Sequence, residues 1–512
     1  MLKRPPDIGR LRAGPLEASK GTSRALRPGQ SRRCVVSGLL GALIASTCLL
    51  TTAGVASASA TSSSTLYGWG SNSYGELGDG STNNRTSPEP ASLAPGIAPT
   101  AISAGVGFAL AIGSDGNLYT WGTGYLGDGS DKAQNSPKKI TLASGVTPTA
   151  ISAGGDDFSL AIGSDGNLYA WGSDIVGQLG DGNTGTDVES PERVKLAPGV
   201  TPTAISAGYS SSLAIGSDGN LYAWGSNGTG QLGNGSTSAD AKPEVVTLAA
   251  SVKATAIAEG DGTSYAIGSD GNLYAWGDNQ FGQLGENNAT GPATCGDNIE
   301  ACAMSPVKVT VNVGNAQDPE WAPLQATAVA TSQANWGALA MGSNGNLYQW
   351  GFNFSCGAGQ LPDAYSPQVI TLASGVLPTA ISASECDDYA IGTDGNLYGW
   401  GWNVDGELAD GTTSPATNPE KVSLAPGVTP TAVAANYNYA LAIGTTSSAP
   451  GATPGEIPGS KTLPAAVPET NGPPAGLPEA PFAVGLPVLA AAILAGGLFI
   501  ARRRSRRTSS TR

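Results

Sequence analysis

One stretch recurs through this chain. Gly-Ser-Asp-Gly-Asn-Leu-Tyr-Ala-Trp-Gly stands unbroken at residues 163–172, 216–225 and 268–277. Variants of its last five residues occur at 66–70, 118–122, 168–172, 221–225, 273–277, 347–351 and 397–401. The tryptophans of these segments, Trp69, Trp121, Trp171, Trp224, Trp276, Trp350 and Trp400, follow one another at steps of 52, 50, 53, 52, 74 and 50 residues. A fixed period of this size means stacked or ring-closed units, because one such unit cannot bury its apolar face alone.

Within one period, residues 154–205, the pattern is that of short strands. Ser159-Leu160-Ala161-Ile162 is an apolar run, and Leu168-Tyr169-Ala170-Trp171 is its return. Asp165-Gly166 between them suits a two-residue hairpin in which both central residues take positive φ. A Gly-rich loop at 177–182 leads to a third strand at 191–196 and a fourth at 202–206, the last opening on Pro202. Four short strands per period make one propeller blade.

The array enters on the return strand 66–70 alone and leaves on 440–444 without a return. Each end is the half that the other lacks. The predicted fold is therefore all-β: a seven-bladed β-propeller closed by joining N- and C-terminal strands in one blade. Closure leaves few open strand edges.

The motif Trp-Gly-Ser-Asn-x-x-Gly-Gln-Leu-Gly at 224–233, with Ala-Ile-Ser-Ala-Gly and Leu-Ala-Ile-Gly-Ser-Asp-Gly in neighbouring repeats, resembles the repeat of the regulator of chromosome condensation family. The resemblance covers about residues 65–444. It implies the same seven-bladed propeller. It also brings in the activity of the family's founding member, a guanine-nucleotide exchange factor for the small GTPase Ran. One departure concerns histidine, which the family usually places ahead of the second strand of each blade. This chain has none, and Phe108, Phe158, Ser211, Thr263, Gly337, Asp387 and Tyr439 occupy the matching positions.

Charge and hydropathy divide the rest of the chain. Residues 1–60 read as a secretory signal, with a long basic region, an apolar run at 34–55 and small-residue cleavage sites after Ala58 or Ala60. Residues 61–445 are the propeller. Residues 446–480 are a Pro-rich stalk, too poor in apolar side chains to build a core. Residues 481–501 are long and apolar enough for a transmembrane helix. The basic tail 502–512 follows, and Arg502, Arg503 and Arg504 place it in the cytoplasm and the propeller outside. Leu477-Pro478-Glu479-Ala480-Pro481 resembles a sortase sorting signal but lacks the Thr-Gly pair at which such signals are cut, so a simple membrane anchor is the preferred reading.

The basic residues gather at the two ends, leaving 11 Lys and Arg against 38 Asp and Glu in 61–501. Such a surface repels phosphate backbones, which argues against a nucleic-acid partner. Without histidine there is no Ser-His-Asp triad, no Cys-His dyad and no imidazole metal site. The Asp-Gly pairs at 79, 128, 181 and 410 lack the alternating oxygen ligands of a calcium loop, and turn formation accounts for them. No cofactor is expected. The repeat is also similar to the Asp boxes of sialidase propellers, but Arg85 and Arg193 are the propeller's two arginines, too few for the arginine triad of those enzymes.

The exported part holds Cys295, Cys302, Cys356 and Cys386. An even number outside the cell points to disulfides, and of three pairings the preferred one is Cys295–Cys302 with Cys356–Cys386. A four-thiolate zinc site is the rival, with poorly fitting spacings. The seven repeat tryptophans read as packing between blades. Trp321, Trp336 and Trp402 lie outside the repeated position and are better placed for contacts.

The 74-residue step contains an insertion near 286–327, which carries Asp297, Glu300, Asp318, Glu320 and Trp321. Seven similar blades give a quasi-symmetric surface, and this insertion breaks the symmetry. An aromatic on a restrained acidic loop is a hot-spot arrangement. The predicted function is a non-enzymatic, surface-displayed propeller that binds a protein or glycan at the cell envelope, with those five residues as candidate contacts. Two alternatives stand beside it: exchange-factor-like activity, from the resemblance, and an extracellular carboxylate-based hydrolase.

Overall fold

The Leu-Ala-Ile-Gly and Leu-Tyr-x-Trp-Gly segments pair as the middle strands of an antiparallel four-stranded unit, and the pairing recurs seven times. A computed structural model describes residues 63–446 apart from 289, 296–299, 316–317, 333–336 and 352–363. The signal with Ala58 and Ala60, the transmembrane segment, Arg502, Arg503 and Arg504 fall outside the described residues, as does the stalk beyond Thr446. Among the described residues there is no helix long and apolar enough to cross a membrane.

A representative blade runs Pro99–Ala104, Phe108–Gly113, Leu118–Gly122 and Gln134–Ile140 from the innermost strand outward. The two middle strands are buried at every residue, because neighbouring blades cover both faces of the sheet. The outermost strand is largely exposed. It carries proline and charge, as Pro137, Lys138 and Lys139 show, and both discourage pairing along an open edge. Innermost strands touch in chain order, from Pro99–Ala104 to Pro148–Ala153, Pro202–Ala207, Ala254–Glu259, Ala326–Thr331, Pro378–Ala383 and Val428–Asn436. Val428–Asn436 in turn touches Pro99–Ala104. The result is an all-β seven-bladed propeller. One of its sheets draws on both ends of the array: Ser63–Gly70 lies antiparallel to Tyr439–Thr446, with Leu66 opposite Ile443 and Trp69 opposite Ala440.

The apolar core sits between blades. Leu66, Leu77 and Leu93 of one blade form a single cluster with Ala109, Tyr119 and Trp121 of the next. Six of the repeat tryptophans are at most 2% exposed and Trp400 is 5% exposed, so they pack between sheets.

Two local expectations are corrected. The strand 202–206 belongs to the blade after the one that holds 159–171; the sheet there is Pro148–Ala153, Phe158–Gly163, Leu168–Gly172 and Val188–Val194. The repeat has four strands, but the blade boundary falls before the Pro-Thr-Ala-Ile-Ser strand. The Asp-Gly turns also differ from a two-residue hairpin. Only their glycines have positive φ, 74° at Gly116 and 75° at Gly166. Asp115 stays out of that region and uses its carboxylate instead: Asn117 N donates to Oδ1 at 3.2 Å and the Tyr119 hydroxyl donates to Oδ2 at 2.9 Å. That side-chain pinning favours a four-residue turn with a single left-handed glycine.

Candidate functional site

The insertion is two separate structures. Glu300–Lys308 is the outer strand of its blade, with Cys302 opposite Asp278 and Lys308 opposite Tyr274. Ala293–Cys295 folds back on its first residues, Cys295 opposite Glu300. Beyond its other end, Thr310–Asn312 and Trp321–Pro323 pair as a two-stranded ribbon. Glu300 and Trp321 thus stand at opposite ends of a nine-residue strand, on the order of 25 Å apart. Asp318 and Glu320 stay with Trp321, and both are exposed. Asp297 lies outside the described residues. The five predicted contacts do not form one acidic loop, because a blade strand runs through the middle of the stretch.

Cys295 and Cys302 are disulfide-bonded across the hairpin, with Cα atoms 5.9 Å apart. Cys386 is disulfide-bonded as well. Cys356 lies outside the described residues, as does Trp336. Trp402 is half-buried.

The ribbon is rigidly seated. Val309 and Leu324, which flank it, are 0% and 2% exposed and join the core cluster of Trp276 and Trp350. Leu324 N donates to Val309 O at 2.9 Å, and Thr310 N donates to Gly285 O at 3.0 Å. At its tip Val313 N donates to Glu320 O at 2.7 Å, and Asn312 Oδ1 accepts from Gly314 N at 2.9 Å.

Between this ribbon and the next blade lies a groove of about 520 Å³. Its walls are Val311, Val313, Trp321, Tyr348 and Val369, with Asn312, Asn344, Asn346 and Gln368 among the polar lining. None of the lining side chains is charged. Trp321 is 37% exposed, Val313 58% and Val369 55%. The neutrality has a local cause. In three blades a cation on the outer strand covers the repeat tyrosine: Arg193 over Tyr169, Lys308 over Tyr274 and Lys421 over Tyr398, at 5.6–5.8 Å. Here the residue opposite Tyr348 is Val369. The usual turn aspartate is also replaced, by Asn344, whose Nδ2 donates to the Tyr348 hydroxyl at 2.9 Å.

Six of the seven positions that replace the family's histidine are interior, and Gly337 is half-buried. Phe108, Phe158, Ser211, Thr263, Asp387 and Tyr439 are all at most 3% exposed. The Phe108 ring fills the space under Gly105, where a Cβ would come within 2.4 Å of it. The Tyr439 hydroxyl lies 2.5 Å from Phe108 O. Several acids are buried nearby. Burial pushes Glu259 and Asp388 up to about 8 each and Glu407 up to about 7, and burial with the neighbouring Glu407 raises Asp387 well above the usual carboxylate range. These four groups lie between blades and do not line the groove.

A sequence model of the regulator of chromosome condensation (RCC1) repeat matches residues 63–112, 115–162, 165–215, 218–267, 270–321 and 394–443. Among curated proteins, the chain is 30% identical to the ultraviolet-B receptor UVR8 of Arabidopsis thaliana over 311 residues, covering 60% of this chain and 54% of that receptor. It is 27% identical to the human E3 ubiquitin-protein ligase HERC2 over 418 residues, 78% of this chain but 8% of the ligase. The chain thus spans about half, or far less, of these relatives' own length. Among solved structures, human WBSCR16 matches with a TM-score of 0.62 at 18% identity, covering 75% of this chain and 99% of that one. Yeast RCC1, solved bound to Kap60, matches with a TM-score of 0.62 at 19% identity, covering 76% and 90%. At these identities the structural matches show a shared fold.

Proposed function

Since the chain belongs to the regulator of chromosome condensation repeat family, we propose that it is a non-enzymatic interaction module, displayed outside the cell membrane, that captures a neutral glycan in the groove at Trp321. The observation that carries this reading is the groove itself. On a chain with a formal net charge of −14, it is lined by an exposed indole, a tyrosine, valines and side-chain amides, with no charged side chain. An indole face packs on the C–H face of a sugar ring, and amides donate to and accept from hydroxyls. Its walls are strands and a ribbon tied into the core, so little ordering entropy is lost on binding.

Surface display rests on the signal-like residues 1–60 and on the stalk, apolar run and arginines of 446–512. The exchange-factor reading rests on the family resemblance alone, and fold does not carry function with it. The hydrolase reading needs a carboxylate pair open to substrate, and the strongly shifted acids named above are buried.

The test is binding of the full-length chain to an array of neutral oligosaccharides, beside Trp321→Ala. Retention of a glycan by the parent and its loss in a Trp321→Ala protein of unchanged thermal unfolding support the assignment. Equal retention by both, or a Trp321-dependent protein partner with no glycan bound, overturns it.

A further inference from the structure

Four loops of the propeller share one hydrogen-bond pattern. Asn72, Asn227, Asn279 and Asn403, each three residues after a repeat tryptophan, are at most 1% exposed. Their Oδ1 atoms accept from the main-chain N of Leu77, Leu232, Leu284 and Leu408 at 2.9–3.0 Å. Their Nδ2 atoms donate into the connection that follows. Asn72 reaches Asp79 Oδ1 and Ser81 O, both at 3.2 Å. Asn227 reaches Asn234 Oδ1 at 3.3 Å and Ser238 O at 2.9 Å. Asn403 reaches Asp410 Oδ1 at 3.3 Å and Ser414 O at 2.8 Å. One NH2 group thus satisfies oxygens converging from further along the loop.

In a fifth loop the same position is Asp174. Its Oδ1 keeps the role, accepting from Leu179 N at 3.0 Å. Oδ2 therefore takes the place of the amide nitrogen. It is an acceptor where a donor belongs, it has no hydrogen-bond partner, and the residue is 0% exposed. Asp181, seven residues on, is disposed as Asp79 is. Its Oδ1 accepts from Asn183 N at 2.7 Å, as Asp79 Oδ1 accepts from Ser81 N at 2.8 Å. A second amide has also become a carboxylate. Asp187 Oδ1 accepts from Asp174 N at 3.2 Å, where Asn84 Oδ1 accepts from Asn72 N at 3.0 Å. The compensating cation is missing: Arg85, which pairs with Asp79 and lies opposite Gly70, has Val188 as its counterpart opposite Gly172.

We propose that this loop binds a calcium ion, held by the carboxylates of Asp174 and Asp181 and by main-chain carbonyl oxygens of residues 181–187, with Asp187 adding charge. Among the described residues no three Asp, Glu, His or Cys side chains converge to hold a metal by themselves, so the proposed site requires carbonyls and water to complete the shell. An all-oxygen, partly main-chain donor set in a glycine-containing loop suits calcium above the softer metals. Burial, with Asp181 and Asp187 beside it, pushes Asp174 up to about 6, a repulsion that a bound cation removes. Asp181 and Asp187 also line an acidic cavity of about 760 Å³ with Glu189 and Glu192, so the outer side of the loop attracts cations.

The rival occupant is a proton, since a neutral Asp174 carboxyl can donate as the asparagine amide does. Chelator-treated full-length protein is titrated with calcium chloride by calorimetry, and its Tm is followed with and without the ion, beside Asp174→Asn. The parent is expected to bind calcium and to gain Tm with concentration. Asp174→Asn loses both responses yet unfolds in chelator no earlier than the parent, because the amide restores the pattern of the other loops. Asp410→Asn, in another loop, keeps both responses. A parent without a calcium response, or an equal response in Asp174→Asn, overturns the site. So does a parent whose Tm rises as pH falls through about 6 while calcium has no effect, which assigns the position to a proton.

Discussion

The indole Nε1 of Trp121 donates to the main-chain oxygen of Glu76 at 2.7 Å, across the boundary between two consecutive blades. The same bond joins Trp224 to Gln178, Trp276 to Gln231, Trp350 to Gln283 and Trp69 to Glu407, at 2.6–2.9 Å. The acceptor is in each case the Glu or Gln of a Gly-Glu/Gln-Leu segment, followed by glycine in four loops and by Ala409 in the fifth. The residue after that leucine packs close under the indole: a Cβ on Gly78 would lie 2.8 Å from Trp121 Nε1, and Ala409, at the same place in the Trp69 latch, keeps the left-handed backbone with φ 54°. The repeated tryptophan therefore works as a latch between neighbours as well as a packing group.

Two tryptophans depart from this: Trp400 Nε1 donates to the side-chain Oε1 of Gln349 at 3.4 Å, and Trp171 has no acceptor at all. The loop ahead of it, Gly122-Thr123-Gly124-Tyr125-Leu126-Gly127, is three residues shorter than its counterpart at 70–78, and Trp171 Nε1 has no partner. Replacing Trp121 by Phe removes a buried hydrogen bond and strands the Glu76 oxygen, whereas Trp171→Phe removes an unpaired donor. Trp121→Phe should therefore cost about 1 kcal/mol more than Trp171→Phe in urea unfolding. Equal costs would show that the latch contributes nothing beyond packing.

The ring and the burial of the tryptophans were legible because a fifty-residue period leaves few architectures. The blade boundary was not, because the connection that crosses between blades, 195–201, is shorter than the loop 173–187 that lies within one. The division of the insertion had an overlooked signal. Outer strands carry Ser-Pro at 87–88, 136–137, 190–191 and 366–367, and Ser305-Pro306 marks the one hidden in the inserted stretch. The Trp321 groove needed coordinates, since Tyr348, Val369 and Trp321 come from three separate strands. Asp174 shows only when the loops are compared with one another, an aspartate where its counterparts are asparagine.

The disulfide between Cys295 and Cys302 closes a short loop, so its effect on the unfolded chain is modest, about 2 kcal/mol. The double replacement by serine should lower stability by that amount and leave the groove at the other end of Glu300–Lys308 intact. Peptide mapping without reduction checks the pairing, including the proposed bridge between Cys356 and Cys386. Recovery of free Cys295 and Cys302 would remove the first bridge from the account.

Removing residues 481–512 should release the propeller into the medium, since the apolar run and the arginines after it are the proposed anchor. Fractionation of expressing cells reads this directly. A truncated protein that stays with the membrane would mean that the N-terminal apolar run is retained as the anchor instead.

Glu259 is a buried acid that takes the place of a ring. It stands where Ala104, Ala153 and Ala207 end the innermost strands of other blades. Ser211, on the preceding blade, stands where Phe108 and Phe158 fill the space beneath a loop glycine. With serine there the space stays open, and the Glu259 side chain enters it: a Cβ on Gly208 would lie 2.4 Å from Glu259 Cγ. Ser211 Oγ is hydrogen-bonded to Oε1, and Oε2 has no partner. Burial pushes the carboxyl up to about 8 from its ordinary value of 4.5, so the folded protein holds this proton more tightly than the unfolded chain does. The stabilisation is complete below about 4.5 and is lost as pH rises through about 8, by an amount on the order of a few kcal/mol. Glu259→Gln keeps the shape and the Ser211 bond without the ionisation. It should match the parent in urea unfolding at pH 5 and exceed it at pH 9. Asp388 and Glu407 add slopes of the same sign to both proteins, so the difference between the two isolates Glu259. Parallel pH profiles for parent and variant would mean that Glu259 is already ionised in the folded state.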